Sequence, residues 1–164
     1  MRQTTHLLHD EHLATIALLD RLEGLLARNG PGKAPDPSDG TVGRLLADLV
    51  ASLSNETGRH FDFEEGNLFP RLDEAGDGFI SQLLKEEHTA IRPLAGRLAA
   101  LAGDARASGF SAEDWSTFHR LGLELVERQI SHIQKEEMGL LPRLEDLLSD
   151  DDDIDLAARY AGDG

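Results

Sequence analysis

Cysteine is missing from all 164 residues. Its absence excludes disulfides, thiolate zinc sites, iron–sulfur clusters and cysteine nucleophiles, so any metal must rest on imidazole and carboxylate. Aromatic residues make up only 5% of the chain, and β-branched residues are few, so the usual signs of strands are lacking. No run of about 18 apolar residues occurs, and His6, His9, Asp10 and Glu11 interrupt the first apolar stretch; the sequence predicts no membrane span and no secretory leader, and hence a cytoplasmic protein. Basic residues are scarce. With 16 Lys and Arg against 31 Asp and Glu the formal net charge is −15, which argues against nucleic acid as a partner, because phosphate binding rests on clustered cations. Ferritin-type Glu-x-x-His pairs, the H-E-x-x-H protease signature, the G-x-S-x-G elbow and phosphate loops are also absent.

What the chain has instead is Leu and Ala at helical spacing. Leu8, Ile16, Leu19, Leu22 and Leu26 recur at three- and four-residue steps and predict a helix over about 4–28. Three prolines and two glycines between Asn29 and Asp39 mark a loop. A second helix is predicted over about 41–74 and a third over about 78–105, with Pro93 kinking or breaking it and a kink preferred. Ser111 and Asp114 read as a capping box opening a fourth helix to about Leu148, bent by Pro142. The fold class expected is all-α, an antiparallel up-down four-helix bundle over residues 1–148. Residues 149–164, opening with Asp150 to Asp153, are expected as an acidic tail or short helix, with a solvated tail preferred.

The chain repeats itself. A shift of 72 places His60, Glu64, Glu65, Leu68, Pro70, Arg71 and Leu72 on His132, Glu136, Glu137, Leu140, Pro142, Arg143 and Leu144. A shift of 76 places Glu11, His12, Arg21 and Leu22 on Glu87, His88, Arg97 and Leu98. Two copies of one helical hairpin, packed on a pseudo-two-fold axis, bring equivalent residues together and imply a two-metal site.

Residues i and i+4 share a helix face, so His60 with Glu64 and His132 with Glu136 each present an imidazole beside a carboxylate. Both pairs lie on apolar stripes, where an unpaired carboxylate costs several kcal/mol or stays protonated, about 1–4 kcal/mol even on lenient scales. A metal pair accounts for both burials, with Glu64 and Glu136 bridging and His12, His60, His88 and His132 as nitrogen donors. That donor set suits iron, manganese or zinc. His6 and His9 lack repeat partners and are expected off the site, and His119 on the surface. Glu65 and Glu137 lie about 100° around the helix from the ligands; they are expected to pair with Arg71, Arg143 or a neighbouring helix, with hydrogen bonds to a ligating histidine as the alternative.

The order His12, His60 with Glu64, His88, His132 with Glu136, together with the segments HFDFEEGNLFPRL and EEHTAI, resembles the hemerythrin-like (HHE cation-binding) family over roughly residues 5–147. The resemblance implies two iron ions in a non-haem di-iron site with an oxygen-derived bridge, zinc or manganese entering by mis-loading, and a small diatomic or peroxide ligand. It assigns the ligand roles to His12, His60, Glu64, His88, His132 and Glu136. The function expected is binding of or reaction with O2, NO or peroxide, as in redox sensing or iron-dependent stress response. The alternatives are a cation-storage module without redox turnover and a metal-independent interaction module. Enzymatic turnover stays open, as does the choice between monomer and weak dimer. Oxygen-carrying relatives have a fifth histidine, but Leu84 and Arg92 stand four residues from His88. The vacant position falls to water or to Glu65, Glu137 or Glu87, and an exchangeable position favours redox chemistry or sensing over oxygen carriage.

Overall fold

The computed structural model describes residues 1–162, apart from the Glu56 side chain. Among these residues every regular element is helical. Five rods follow in order: α1 (Gln3–Arg28), α2 (40–74), α3 (Gly78–Ser108), α4 (112–147) and α5 (Asp150–Gly162). No helix among them is long and apolar enough to cross a membrane.

Local sequence sets the rod ends. The Asp39 carboxylate accepts from the Thr41 and Val42 backbone N–H groups at the start of α2, and Ser111 accepts from Asp114 N–H at 3.0 Å to open α4, each satisfying donors a helix start leaves unpaired. Gly76 and Gly109, in the left-handed region at φ 87 and 79, turn the chain after α2 and α3, as residues without a Cβ do most easily. α3 passes through Pro93 without breaking.

α2 and α4 are not uniform α-helices. Each contains a π-turn at repeat-related positions, Glu64–Leu68 in α2 and Glu136–Leu140 in α4, where Phe69 N–H donates to Glu64 C=O and Leu141 N–H donates to Glu136 C=O. Pro70 or Pro142 follows immediately, within the first two residues of the resumed α-helix. A proline ring clashes with the carbonyl four residues back and offers no N–H; widening the turn just before it absorbs that conflict. The expected proline bend therefore takes the form of a π-turn beginning at each carboxylate of the predicted site. Inserted turns of this kind gather at functional positions. α2 carries a third π-turn at Ser52–Glu56.

Packing runs along all four long rods. Arg2 donates from its backbone N–H to Glu145 at 2.8 Å, and His119 Nε2 lies 2.9 Å from the Leu26 carbonyl, tying α1 to α4 at both ends; His119 is thereby partly buried rather than on the surface. Arg21 pairs with Asp48 and Arg59 with Glu11, joining α1 to α2. The apolar interior divides in two. One cluster holds Leu22, Leu46, Leu98, Trp115 and Phe118, the other Leu8, Phe69, Leu84, Leu140 and Leu144. On α1, α3 and α4 the boundary between them falls at His12, His88 and His132.

The C-terminal segment differs from the solvated tail preferred on sequence. Residues 150–162 form α5, which buries Leu156, Ala157 and Tyr160. α1 has no side-chain cap of its own; the Asp153 carboxylate accepts from Gln3 N–H at 2.9 Å and Thr4 N–H at 2.8 Å. An aspartate run that reads as solvated surface thus supplies the missing cap, and its helix closes one end of the core.

Candidate metal centre

The six residues singled out from sequence meet in one buried cluster. Ligand atoms of Glu64, His88, His132 and Glu136 all lie within 4.8 Å of one another, as do those of His12, His60 and Glu136. Glu136 belongs to both groups. His132 Nε2 is 2.6 Å and His12 Nε2 2.8 Å from Glu136; His60 and His88 Nε2 are each 3.3 Å from Glu64 Oε1. Glu64 and Glu136 are fully buried, and His12, His88 and His132 are at most 3% exposed.

Each imidazole is anchored from behind. His12 Nδ1 is 2.6 Å from Glu137, His60 Nδ1 2.5 Å from Glu11, His88 Nδ1 2.9 Å from Glu65 and His132 Nδ1 2.8 Å from Glu87. A carboxylate accepts hydrogen bonds, so each of these Nδ1 atoms carries its proton and Nε2 is the ring nitrogen turned inward. Behind each carboxylate stands another donor: Arg59 on Glu11, Arg92 on Glu65, Lys135 on Glu87 and His9 on Glu137. Phe61 stacks on His88 with centroids 3.8 Å apart and holds that ring in plane.

This arrangement corrects three expectations. Glu65 and Glu137 take the alternative use and hydrogen-bond ligand imidazoles, Glu65 also pairs with Arg92 on a neighbouring rod as expected, and Arg143 and Arg71 pair with Asp77 and Asp152 instead. Glu65, Glu87 and Glu137 each spend an oxygen on an Nδ1 atom, which places them behind the histidines rather than in a vacant ligand position. His9 reaches the cluster indirectly through Glu137, whereas His6 pairs with Asp10 on the surface. Glu11 and Glu87 were visible in sequence as repeat partners one residue before His12 and His88. Tyr160, whose hydroxyl is 3.3 Å from His60 Nδ1, carried no signal because it lies in the segment read as tail.

The electrostatics are those of a site organised around positive charge. Burial pushes the imidazoles down, but the carboxylates outweigh it: His12 and His132 are raised, His60 well above its ordinary range, and His88 to about 9 by Glu136 and Glu64. Burial would raise Glu136, yet His132, His12 and His60 hold it well below the usual carboxylate range. Even so, the network does not close on itself. Both oxygens of Glu64 and Oε1 of Glu136 are buried without a well-aligned hydrogen bond, although imidazole nitrogens stand 2.6–3.3 Å from the two Oε1 atoms, and His88 and His132 bring Nε2 atoms to 3.1 Å of each other. Two inward-facing nitrogens at that distance require a proton or a metal ion between them. The donors fit a metal: nitrogen and carboxylate oxygen only, pre-oriented by hydrogen bonds from outside.

Fold and site together define an all-helical protein with a buried His/Glu cluster able to bind metal cations. The family model described as the hemerythrin HHE cation binding domain matches residues 3–144, and the chain belongs to that family. No curated protein matches the sequence. Cation binding by the domain follows from that membership.

Proposed function

We propose that the protein holds two iron ions on His12, His60, Glu64, His88, His132 and Glu136, and binds or reacts with O2, NO or peroxide. The observation that carries this reading is the orientation of four imidazoles, each fixed through Nδ1, toward two buried glutamates, three of whose four oxygens lack a well-aligned hydrogen bond. Glu136, common to both groups, is the bridging carboxylate in this reading, with Glu64 beside it. The two groups differ in a way that suits ligand exchange. His88, His132, Glu64 and Glu136 form a four-residue set walled by Phe61 and Phe69. His12, His60 and Glu136 form a three-residue set on a cavity of about 340 Å³, and reactive metal sites keep such a position open.

Two ferrous ions held there would supply the electrons that, with two protons, convert one hydrogen peroxide into two waters. The protein's own part is to orient the donors, to exclude bulk water with the two apolar clusters, and to hold protons on Nδ1 so that Nε2 stays free. We read the four long rods as an antiparallel up-down bundle; the contacts Arg2–Glu145, His12–Glu136 and Leu26–His119, in which numbers rise on one rod and fall on the other, support it. A cytoplasmic location is part of the reading, and a net charge of −15 favours the monomer over self-association.

The test is anaerobic loading with ferrous iron followed by O2, NO or hydrogen peroxide in turn. A near-ultraviolet charge-transfer band on oxidation, or an NO-dependent visible band, supports the reading. Iron that binds but answers none of the three leaves a storage module and overturns it.

A further inference from the structure

We infer that the seam between α1 and α2 is the route by which a divalent cation reaches the cluster, and that the repeat-related seam between α3 and α4 is closed to it. The inference rests on the metal centre proposed above and gives that centre an entrance on one side.

A cavity lies at each seam. The first is bordered from α1 by Glu11, Ala14 and Thr15, the second from α3 by their partners at a shift of 76, Glu87, Ala90 and Ile91. The two differ in what the other rod brings. α2 contributes Ala51, Ser52 and Thr57, whereas α4 contributes Glu124, Glu127 and Arg128. The first cavity reaches His12, His60 and Glu136, and the second touches none of the four ligand imidazoles. Exposure follows the same division: His60 is 8% and His12 3% exposed, their repeat partners His132 and His88 1% each. The backbone differs at the same place. In the third π-turn of α2, Thr57 N–H donates to Ser52 C=O, so the turn begins and ends on residues that line the cavity. No proline follows it, and α4 is regular α-helix over the corresponding residues 124–128. A π-turn that neither a proline nor the repeat explains is the kind of departure from regular helix that gathers at functional positions.

The lining suits a cation in transit. At the outer end Ala14, Ala17 and Ala51 are exposed and present nothing larger than a methyl group, beside the half-exposed Arg21–Asp48 pair, a contact of a kind that holds weakly. Further in lie Ser52 and Thr57, both buried, and the Glu11 and Glu136 carboxylates; oxygen atoms of this sort stand in for the water shell of a hard cation. Glu11, Asp48 and Glu136 outnumber Arg21 on the wall, and a cleft lined by one sign of charge concentrates the opposite ion. At the other seam Arg128 pairs with Glu124 and Lys135 with Glu87, which sets two cations in the path of a third.

Metal-free protein, as the full chain, is mixed rapidly with cobalt(II), whose visible absorption reports its capture by imidazole and carboxylate. Ala14→Trp and Ala90→Trp are a matched pair, one substitution at repeat-related positions on the two seams. Ala14→Trp should slow uptake about tenfold or more yet reach the wild-type cobalt content, and Ala90→Trp should change the rate less than about twofold, both within the span of association rates among variants of one site. Ala51→Trp, on the opposite wall, should act as Ala14→Trp does and takes its place if that variant does not fold. Equal rates in all variants, or equal slowing by Ala14→Trp and Ala90→Trp, overturn the proposal. If the wild type takes up no cobalt, the metal centre fails, and diethyl pyrocarbonate on the metal-free protein decides whether the seam is an entrance. His12 and His60 should then be carbethoxylated ahead of His88, a lead that Ala14→Trp removes. Modification of His88 as fast as the other two overturns the entrance.

Discussion

At the scale of single residues, Glu64 and Glu136 hold the charge of the imidazoles around them in the metal-free protein. Both are fully buried, and Glu64 faces His60 and His88 Nε2 at 3.3 Å. Removing one partner of a buried charge pair strands the other, commonly at a cost of about 3–5 kcal/mol. Glu64→Leu should therefore lower the melting temperature of the metal-free protein near neutral pH while abolishing metal binding, as circular dichroism and metal analysis on one sample will show; a metal-free form that melts higher contradicts the assignment. Glu11→Ala and Glu87→Ala should each weaken metal affinity about 10–100-fold through loss of the Nδ1 acceptor, read by chelator competition, with the helical signal unchanged. The pH dependence has a fixed sign. His88 is raised from an ordinary 6.5 to about 9, so its contribution to the metal-free fold is complete below about pH 6.5 and is lost as pH rises through about 9. Denaturant titrations of metal-free protein should show stability falling across that window, while metal affinity climbs as protons leave the imidazoles. The six cluster residues were legible because spacing and repeat pointed to the same positions. The roles of Glu65 and Glu137 were legible only as an alternative, since a residue about 100° off the buried stripe gains its partner from whichever rod packs alongside, and that is a tertiary fact.

At the scale of elements, the prolines were legible as disturbances but not as π-turns, because sequence shows where a helix is strained and not which carbonyls absorb the strain. α5 was misread for a related reason. Four aspartates dominate its opening, and only Leu156, Ala157 and Tyr160 carry the apolar face. Nothing local reveals that Asp153 faces an uncapped helix start. Its carboxyl is pulled below the ordinary aspartate range by the Thr4 and Gln3 N–H groups, against the opposing effect of burial. The clamp is thus complete above the ordinary aspartate pKa and fails as pH falls through the lowered one. Asp153→Ala should detach α5 without unfolding the rest: amide exchange should speed across 150–162 and the first turn of α1, at a cost of about 1–2 kcal/mol, the usual value of a lost N-cap. Protection unchanged in both segments rules the clamp out. Because Tyr160 rides on α5 and meets His60, the same variant should expose that side of the cluster.

At the scale of the whole molecule, one hairpin motif used twice explains why the cluster has two halves, why each imidazole has a carboxylate behind it, and why π-turns sit at 64–68 and 136–140. The halves are not identical. Phe61 and Phe69 stack on His88, whereas His12, His60 and His132 border a cavity, a difference that arises from packing and lies outside the repeat itself. The central claim is that this cluster holds two iron ions, and iron per chain after anaerobic ferrous loading and removal of excess metal tests it most directly. The account predicts two per chain in the wild type and none retained by the His60→Ala, His132→Ala double variant. One or no iron in the wild type, or equal iron in the variant, would contradict it.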